Sequence, residues 1–297
     1  MARALLIFNP VAARTDPQVV GSVSRVFAAE GWELDVAGTT RPGHAAELAC
    51  QGVEEGVDLI AIYGGDGTTM QAVGGIVGRG VPVGLIPGGT GNLLAGNLRL
   101  PRAPAAAAQV AIRGVPRRID LGCLRRDDDV RYFAVACGAG FDAELMARTS
   151  DVAKRRWGMA AYVARAWDTL GEIRVVQYRL TVDDQTFEPE AATVLVANCG
   201  EIIPPFLRLN RGIRPDDGMF DVVALKASTT FQVLGVVWQL ATGQAGGTDR
   251  VLSWRGRTVT VETEVEQPVE LDGEPGGVTP FTAEIVPSAI SVVVPGR

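Results

Sequence analysis

The sequence is poor in several residue types, and each shortage excludes a class of site. Among its 297 residues there is one histidine, His44, so a histidine-rich metal centre is excluded and a Ser-His-Asp triad would depend on that residue alone. There are two lysines, Lys154 and Lys226, and neither lies in a Gly-Lys-Ser/Thr phosphate loop or in the strand setting that a protein kinase requires. If this protein transfers phosphate, it does so without a motif lysine.

Cysteine pairs, long apolar runs and a basic surface are also missing. The four cysteines are scattered without a Cys-x-x-Cys pair, which predicts buried thiols in a reducing compartment and neither a zinc site nor a disulfide framework. No stretch approaches the ~18 apolar residues of a membrane span, and the apolar run Ala4–Phe8 is too short for a signal peptide. The net charge of −6 argues against nonspecific nucleic-acid binding. We therefore expect a soluble, cytoplasmic protein without a nucleic-acid partner.

Up to about residue 120, apolar strands alternate with helices. The predicted strands are Ala4–Phe8, Trp32–Ala37, Val57–Tyr63 and Val81–Ile86, and the predicted helices are Pro17–Glu30, Gly43–Glu55, Thr68–Val77, Gly91–Asn97 and Pro104–Arg113. This alternation predicts an α/β domain with a parallel sheet that is covered on both faces. Ligands of such sheets bind at the carboxyl ends of the strands.

After about residue 115 the pattern changes to longer, alternating strands, which indicate an antiparallel sandwich or barrel. These strands are Pro116–Leu124, Arg131–Cys137, Val175–Val182, Thr193–Asn198, Met219–Leu225, Arg250–Ser253, Thr258–Glu264, Val269–Leu271 and Ile290–Val294. Two helical segments, roughly 143–170 and 229–242, interrupt them. We place the domain boundary at Gly114–Pro116, giving domains of residues 1–115 and 116–297, although a strand of the second could pair back on the first.

Two glycine-rich turns follow successive strands of the first domain. The first reads Gly-Gly-Asp-Gly-Thr-Thr at Gly64–Thr69, and the second reads Pro-Gly-Gly-Thr-Gly-Asn at Pro87–Asn92. Glycine lets a backbone approach a phosphate closely, and the amides at a helix start attract anions. Each turn alone also fits an ordinary connection, and Thr90 alone fits a helix N-cap. Together, at one edge of a sheet, they predict a nucleotide phosphate site.

Further polar residues end the first two strands at the same edge. Asn9 and Thr40 offer small polar groups to a nucleotide. His44 is better interpreted as a hydrogen-bonding residue at a helix start than as a catalyst.

An acidic turn, Glu270–Glu274, lies far along the chain after an alternating strand. A carboxylate that accepts the proton of a hydroxyl favours phosphoryl transfer to an alcohol. The glycine between Asp272 and Glu274 suggests a tight turn that presents both carboxylates. Without the glycine-rich turns, this segment would be read as a solvated hairpin tip.

Taken together, Asn9-Pro10, the two glycine-rich turns and Leu271–Glu274 resemble the diacylglycerol kinase catalytic-domain family. The likeness is to its soluble bacterial lipid kinases, which are related to sphingosine and ceramide kinases. It extends to Gly138–Ala143, Val196–Asn198 and Arg214–Asp221. The Gly-Gly-Asp-Gly-Thr turn is shared with NAD kinases and phosphofructokinase relatives, and the late Leu-Asp-Gly-Glu separates the lipid kinases from them.

The resemblance implies an α/β domain of the NAD kinase and phosphofructokinase type followed by a β-rich sandwich. It also implies a kinase that uses ATP and Mg²⁺ to phosphorylate a lipid hydroxyl, with diacylglycerol to phosphatidic acid as the favoured reaction. The implied nucleotide-binding residues are Asn9, Pro10, Val11, Ala12, Ala13, Thr40, Gly64, Gly65, Asp66, Gly67, Thr68, Thr69, Met70, Gly89, Thr90 and Asn92. The implied catalytic residues are Asp66, which would organise Mg²⁺, and Glu274, which would act as the base with the help of Asp272. A structural metal is implied at Asp217 and at the carbonyls of Arg214 and Met219.

The sequence departs from the family pattern beside the second turn. Many relatives have Asn-Asp-Phe there, whereas this chain has Asn92-Leu93-Leu94. A carboxylate is therefore missing, which leaves the exact arrangement of acceptor or metal open but removes neither the implied ATP ligands nor the base.

Contact with a membrane and the identity of the acceptor stay open. Basic residues and tryptophans over 154–170 suit transient contact with an anionic membrane, and they suit slightly better an amphipathic helix that covers the sandwich. Alternative acceptors are a sphingoid base, a polyprenol or another alcohol. The remaining alternative is a non-catalytic nucleotide- or lipid-binding regulator, against which Asp66 and Glu274 count. A homodimer is also open.

Overall fold

The computed structural model describes residues 1–11, 16–126, 129–140, 174–203, 207–209, 212–227, 232 and 250–296. Its contacts divide the chain into two units, Met1–Ile119 with Ser288–Arg297, and Asp120–Pro287. From the sequence we assigned every residue after 115 to the second domain, whereas the last ten residues lie with the first unit. Within the part of the chain that the structure describes, no helix is long and apolar enough to span a membrane.

The first unit is an α/β layer structure, as predicted. Its sheet contains the parallel strands β1 (Arg3–Phe8), β2 (Glu33–Gly38), β3 (Leu59–Gly64) and β4 (Pro82–Pro87), in the order β4-β3-β1-β2. Its helices are α1 (Pro17–Ala29), α2 (His44–Glu54), α3 (Asp66–Gly75), α4 (Leu93–Asn97) and α5 (Pro104–Arg113). All six residues of β3 are buried, as expected for the centre of a parallel sheet with both faces covered.

The core of the first unit forms where α1 and α5 pack on the sheet. Phe27 of α1 and Ala108 of α5 are fully buried there with Leu6 of β1. Helix α1 starts where the Asp16 side chain accepts a hydrogen bond of 2.8 Å from the Gln18 amide, which caps the helix. The parallel register of the strands places the carboxyl ends of β1, β3 and β4 beside one another.

The second unit consists of antiparallel strands, also as predicted. Its strands are β5 (Val115–Arg126), β6 (Asp129–Phe133), β7 (Ala136–Gly140), β8 (Val176–Val182), β9 (Gln185–Phe187), β10 (Glu190–Ala191), β11 (Thr193–Ala197), β12 (Glu201–Ile203), β13 (Leu207–Arg208), β14 (Phe220–Leu225), β15 (Val251–Gly256), β16 (Thr258–Thr263), β17 (Pro268–Leu271), β18 (Glu274–Val278) and β19 (Phe281–Val294). The part of β5 up to Ile119 and the part of β19 from Ser288 belong to the first unit. One sheet has the order β15-β14-β11-β7-β17-β18, and in the other β8 and the first half of β19 flank β16. A shared apolar core that includes Phe133, Phe220 and Val261 lies between them.

The short strands β9, β10, β12 and β13 were not predicted, and three further strand predictions need correction. The segment Arg131–Cys137 is two strands, because the chain leaves the ladder at Ala134–Val135 to hydrogen-bond a buried side chain. Strand β18 was missed, because its sequence Glu-Pro-Gly-Gly-Val has poor strand propensity. Strand β19 starts at Phe281, well before the predicted Ile290, and its last residues pair in parallel with β4 through Ser291 and Val292.

The predicted helical segments cannot be compared with the structure. Residues 143–170 lie outside the described residues, and of 229–242 only residue 232 is described. The predicted membrane-contact segment 154–170 lies outside them as well.

Candidate active site

The two glycine-rich turns meet at the carboxyl ends of the adjacent parallel strands β3 and β4. Gly64 pairs with Pro87 in the strand register, and the Gly88 amide donates a hydrogen bond of 2.8 Å to the Gly64 carbonyl. A Cβ atom added to Gly89 would lie 2.5 Å from the Cα of Gly65, closer than any real contact. Glycine at position 89 is therefore required for the two turns to approach, and the approach brings backbone amides together as a phosphate site needs.

Asp66 is the first residue of α3 and joins the two turns. Its Oδ1 accepts a hydrogen bond of 2.6 Å from the Leu93 amide at the start of α4. Its Oδ2 would lie 2.8 Å from a Cβ on Gly91, so glycine there leaves room for the carboxylate. Leu93 therefore makes this contact with Asp66 although it lacks the carboxylate that many relatives have at this position, because the donor is its backbone amide.

A magnesium ion fits Asp66 only if substrate phosphates complete its coordination. Among the described residues there is no group of three or more His, Cys, Asp or Glu side chains that could hold a metal. Magnesium is commonly bound by one or two carboxylates together with waters and substrate phosphate oxygens. The single carboxylate at the start of α3 has the chemistry for that arrangement.

Asn92 shapes the second turn from within. It has a left-handed backbone conformation with φ of 50°, its Oδ1 accepts from the Gly89 amide at 2.9 Å, and its Nδ2 donates to the Gly89 carbonyl at 2.7 Å. It also precedes α4 as the N-cap residue. Thr90 is therefore not the N-cap of that helix, which removes the ordinary explanation that the sequence left open for it.

Asn9 brings the end of β1 to the first turn. Its Nδ2 donates to Thr68 Oγ1 at 3.1 Å, its Oδ1 accepts from the Val11 amide at 3.0 Å, and its own amide donates to the Tyr63 carbonyl at 3.3 Å. Pro10 and Val11 are exposed beyond it. Ala12 and Ala13, two further predicted nucleotide contacts, lie outside the described residues.

The remaining predicted nucleotide residues of the first unit differ in burial. Thr68 and Thr69 are buried behind the turn, whereas Gly65, Gly67 and Met70 are half-buried. Residues on the half-buried side are the better placed to touch a ligand.

Thr40 lies at the end of β2 and contacts the only histidine. The Thr40 amide donates to His44 Nδ1 at 3.2 Å, and Thr40 Oγ1 lies 3.1 Å from the same nitrogen. Since Nδ1 accepts a hydrogen bond, the ring proton of the neutral histidine is on Nε2. His44 is the first residue of α2 and acts as a hydrogen-bonding residue at a helix start, as we interpreted it.

The acidic turn between β17 and β18 buries one carboxylate and exposes another. Asp272 is only 7% exposed, and its carboxylate accepts hydrogen bonds from the amides of Ala134, Val135 and Ala136 at 2.7, 2.8 and 3.0 Å. Glu274, in contrast, is exposed at the start of β18. The expectation that the turn presents both carboxylates was therefore wrong, because backbone amides draw Asp272 inward.

Burial governs the ionisation of Asp272. Desolvation raises the pKa of its carboxyl to about 6, although the three amide donors act in the opposite direction. Glu270 is buried in the same turn, where its Oε2 accepts from the Gly273 amide at 2.6 Å. These two side chains fix the backbone on either side of Gly273 and so determine where Glu274 begins β18.

Asn198, for which we had proposed no role, binds a carbonyl group in the backbone segment 134–136, whose amides donate to Asp272. This fully buried side chain donates through Nδ2 to the carbonyls of Asp120 and Ala134 at 2.9 and 2.8 Å. Its Oδ1 is buried without a hydrogen-bond partner among the described residues. The residues 134–136 are thus held by Asn198 at a carbonyl and by Asp272 at the amides. The Val-Ala-Asn sequence was visible as a motif, but its partners are distant in the chain.

The turn predicted to hold a structural metal is closed by an arginine. Asp217 Oδ1 accepts from the Met219 amide at 3.2 Å, and Asp217 Oδ2 lies 2.5 Å from the Arg255 guanidinium. Arg214 is itself paired with Asp216 at 3.1 Å. Oδ2 of Asp217 is thus engaged by Arg255, and a metal at this oxygen would compete with the guanidinium. The structural metal, with the carbonyls of Arg214 and Met219 as its other ligands, stays a prediction.

Two family models match consecutive parts of the chain. Residues 3–124 match the diacylglycerol kinase catalytic domain, and residues 135–294 match the YegS C-terminal NAD kinase beta sandwich-like domain. The second match covers more than half of the chain. Both agree with the α/β unit and the β-rich unit described above.

Full-length relatives give the same result. The chain is 29% identical to a diacylglycerol kinase of Bacillus subtilis over 99% of this chain and 97% of that protein. It is also 29% identical to a probable lipid kinase YegS-like protein of Chromohalobacter salexigens, over 98% and 92% of the two chains. A crystal structure of a diacylglycerol kinase from Bacillus anthracis has the same fold, with a TM-score of 0.73 at 21% identity over 98% and 96% of the chains. The chain therefore belongs to the diacylglycerol kinase catalytic-domain family and is an enzyme of the lipid kinase class.

Proposed function

We propose that this protein transfers the γ-phosphoryl group of ATP to a lipid hydroxyl in the presence of Mg²⁺, and that it converts diacylglycerol to phosphatidic acid. The observation that carries the proposal is the approach of Gly65 and Gly89, which joins two glycine-rich turns at the carboxyl ends of adjacent parallel strands. The name of the full-length Bacillus subtilis relative supports diacylglycerol as the acceptor. We expect the enzyme to act in the cytoplasm, at the inner face of the membrane.

In this proposal the nucleotide phosphates bind the backbone of the first unit. The amides of Gly65 and Gly67 start α3, where the helix dipole and free N–H groups favour negative charge. Asn9, Thr40 and Thr90 supply neutral polar groups around them. The bound Mg²⁺ would neutralise phosphate charge with Asp66 as its protein ligand. No lysine is needed, which agrees with the scarcity of lysine in the sequence.

The transfer step requires a proton acceptor for the lipid. The hydroxyl oxygen forms a bond to the γ-phosphorus as the bond from that phosphorus to the β,γ-bridging oxygen breaks, and ADP leaves with the electron pair. Glu274 takes the hydroxyl proton through its exposed carboxylate. Asp272 acts as a positioning residue, because it holds the turn and is itself buried.

The test is incubation with γ-labelled ATP, Mg²⁺ and a panel of lipids, followed by chromatography of the products. Label should appear in phosphatidic acid when diacylglycerol is supplied, and Glu274→Gln should lower transfer by about 10²–10⁴-fold. Glu262→Gln, which changes another exposed glutamate of the second unit, is the matched control and should transfer normally. Label in a different lipid would reassign the acceptor, and full transfer by Glu274→Gln would remove Glu274 as the base.

A further inference from the structure

The loop between β2 and α2 contains Thr40, a proposed nucleotide contact, and ends at His44. Thr40 is exposed, whereas His44 is half-buried as the first residue of α2. The Thr40 amide donates to His44 Nδ1 at 3.2 Å, and Thr40 Oγ1 lies 3.1 Å from the same nitrogen. One imidazole nitrogen therefore contacts both the backbone and the hydroxyl of Thr40.

Both ends of this loop are fixed to elements that also hold the first glycine-rich turn. At its start, the Thr39 amide donates to the Phe8 carbonyl at the end of β1, at 2.9 Å. At its end, the Gly43 amide donates to Gln71 Oε1 at 3.0 Å, and Gln71 lies in α3, the helix that follows the first turn. Thr40 lies between these two attachments and is held there by the contact with His44.

The contact determines how the Thr40 hydroxyl can serve a ligand. Nδ1 of a neutral imidazole that carries its proton on Nε2 has one lone pair and can only accept a hydrogen bond. The Thr40 amide donates to that lone pair, which fixes the backbone of the residue. With its backbone fixed, the exposed hydroxyl is kept in one place, where it can donate a hydrogen bond to an oxygen of a nucleotide.

We propose that His44 is a positioning residue for nucleotide binding, which acts through Nδ1 on Thr40 and holds the Thr40 hydroxyl ready for the nucleotide. This inference rests on the proposed nucleotide site in the first unit, and it gives the only histidine of the chain a role beyond the start of α2. A group that is ordered in advance loses less conformational entropy when a ligand binds, and affinity rises accordingly. His44 should therefore affect nucleotide affinity more than it affects the phosphoryl transfer step.

Two substitutions separate this role from a direct contact between His44 and the nucleotide. Oδ1 of asparagine is bonded to Cγ, as Nδ1 of histidine is, so His44→Asn keeps an acceptor for Thr40. The amide group of glutamine lies one bond farther from the backbone, so His44→Gln keeps a donor near the place of Nε2 and loses the acceptor at Nδ1. Positioning through Thr40 predicts a loss of affinity in His44→Gln alone, whereas direct contact through Nε2 predicts it in His44→Asn alone.

The experiment compares His44→Gln and His44→Asn with Gln51→Ala in the full chain. Gln51 lies about two turns farther along α2, and its Nε2 donates to Glu55 Oε1 at 2.7 Å, so the control removes another exposed hydrogen bond of the same helix. We would measure the Kd of Mg-ATP by calorimetry without lipid, the KM for ATP, kcat, and the thermal midpoint of each variant. Losing one hydrogen bond should raise the Kd and KM for ATP of His44→Gln about fivefold at unchanged kcat. His44→Asn and Gln51→Ala should bind Mg-ATP like the parent protein.

A double-mutant cycle with Thr40→Val tests whether His44 acts through Thr40. Valine has nearly the shape of threonine and lacks the hydroxyl, so Thr40→Val removes the group that His44 positions. His44→Gln should therefore raise the Kd about fivefold in the parent protein and leave it unchanged in the Thr40→Val background.

The tautomer of His44 is tested by NMR of the parent protein. Because the chain has one histidine, a single pair of imidazole nitrogen signals is expected, and they belong to His44. In mildly alkaline buffer they should show a proton on Nε2 and none on Nδ1. A proton on Nδ1 would overturn the inference, because that nitrogen could not then accept from the Thr40 amide.

Each outcome of the binding measurements decides the inference. A fivefold rise in Kd that is confined to His44→Gln and absent in the Thr40→Val background supports it. Parent-like affinity of His44→Gln overturns it while the proposed function stands, and so does an equal or larger loss in His44→Asn, an equal loss in Gln51→Ala, or a rise that persists with Thr40→Val. If the parent protein itself does not bind Mg-ATP, the proposed function fails and the inference fails with it.

Discussion

The glycine-rich turns of the first unit and the acidic turn of the second unit place a carboxylate by opposite means. In the first unit, glycines at positions 89 and 91 make room for neighbouring backbone and for Asp66, which bonds one amide across the turn. In the second unit, Asp272 is buried and three amides fold around it, which leaves Glu274 outside. From this difference we expect that substitutions in the glycine-rich turns disrupt them by steric clash, and that substitutions in the acidic turn disrupt it by loss of hydrogen bonds.

The largest expected effect on nucleotide binding comes from filling the space between the glycine-rich turns. Gly89→Ala places a Cβ within 2.5 Å of the Gly65 backbone, so the turns must separate and Mg-ATP binding should weaken about 100-fold. Calorimetric titration with Mg-ATP measures this. Gly21→Ala is the control, because a Cβ there meets nothing within 4 Å, and it should bind normally. Normal binding by Gly89→Ala would mean that the approach of the turns does not form the phosphate site.

Removing the buried carboxylate of the hairpin should destabilise the second unit. Asp272→Ala leaves three buried amides without an acceptor, so the free energy of unfolding should fall by about 3 kcal/mol or more. Asp183 provides a matched control, since it has nearly the same φ, 50° against 49°, and accepts two backbone amides while exposed. Asp183→Ala should lose about 1 kcal/mol in urea unfolding. Equal losses of unfolding free energy in the two variants would show that burial of the carboxylate does not increase its contribution to stability.

The same carboxylate should make stability depend on pH. Because the pKa of Asp272 is about 6 in the folded protein against an ordinary value of 3.8, the folded state binds a proton that the unfolded state has released. The protonated carboxyl of Asp272 therefore adds its full share to the free energy of unfolding below pH 3.8. This share declines as the pH rises to about 6, by up to about 3 kcal/mol. Asp272→Asn lacks this contribution, so the difference between the two unfolding curves should follow it. A difference that is flat between pH 4 and 6 would contradict the shift.

The smallest expected effect on stability comes from replacing Arg255, which pairs with Asp217 in the turn predicted to hold a structural metal. The Arg255–Asp217 pair is half-exposed, so Arg255→Met should lose about 1 kcal/mol or less of stability. A chelator should leave the thermal midpoint of the parent protein unchanged, and added Mg²⁺ should stabilise only the variant, whose Asp217 is released. If the chelator lowers the midpoint of the parent protein, a metal occupies the turn in spite of the arginine.

Sequence predicted the glycine-rich turns well because their signals are local. Gly64–Thr69 and Pro87–Asn92 each follow an apolar strand, and parallel strands bring their ends to one edge whatever the rest of the chain does. The acidic turn was harder. The amide partners of Asp272 lie 136 to 138 residues away, so the sequence around Asp272 contains no pattern that predicts its burial.

The strand predictions show the same limit. The apolar pattern of Ile290–Val294 predicted a strand, but pattern does not choose the partner, and the pairing with β4 emerges only from the folded first unit. Tyr63 appeared to be one more apolar residue of β3, because its hydroxyl partner at Asp16 lies 47 residues earlier.

The central claim is that nucleotide binding resides in the glycine-rich turns and proton acceptance in Glu274, and one paired measurement tests it most directly. Mg-ATP affinity and diacylglycerol-dependent phosphoryl transfer would be measured on the same preparations of the parent protein, Gly89→Ala and Glu274→Gln. We expect Gly89→Ala to lose affinity, and Glu274→Gln to bind Mg-ATP like the parent protein while its transfer falls by about 10²–10⁴-fold. Transfer by Glu274→Gln at the parent rate, or parent-like affinity in Gly89→Ala, would contradict the assignment.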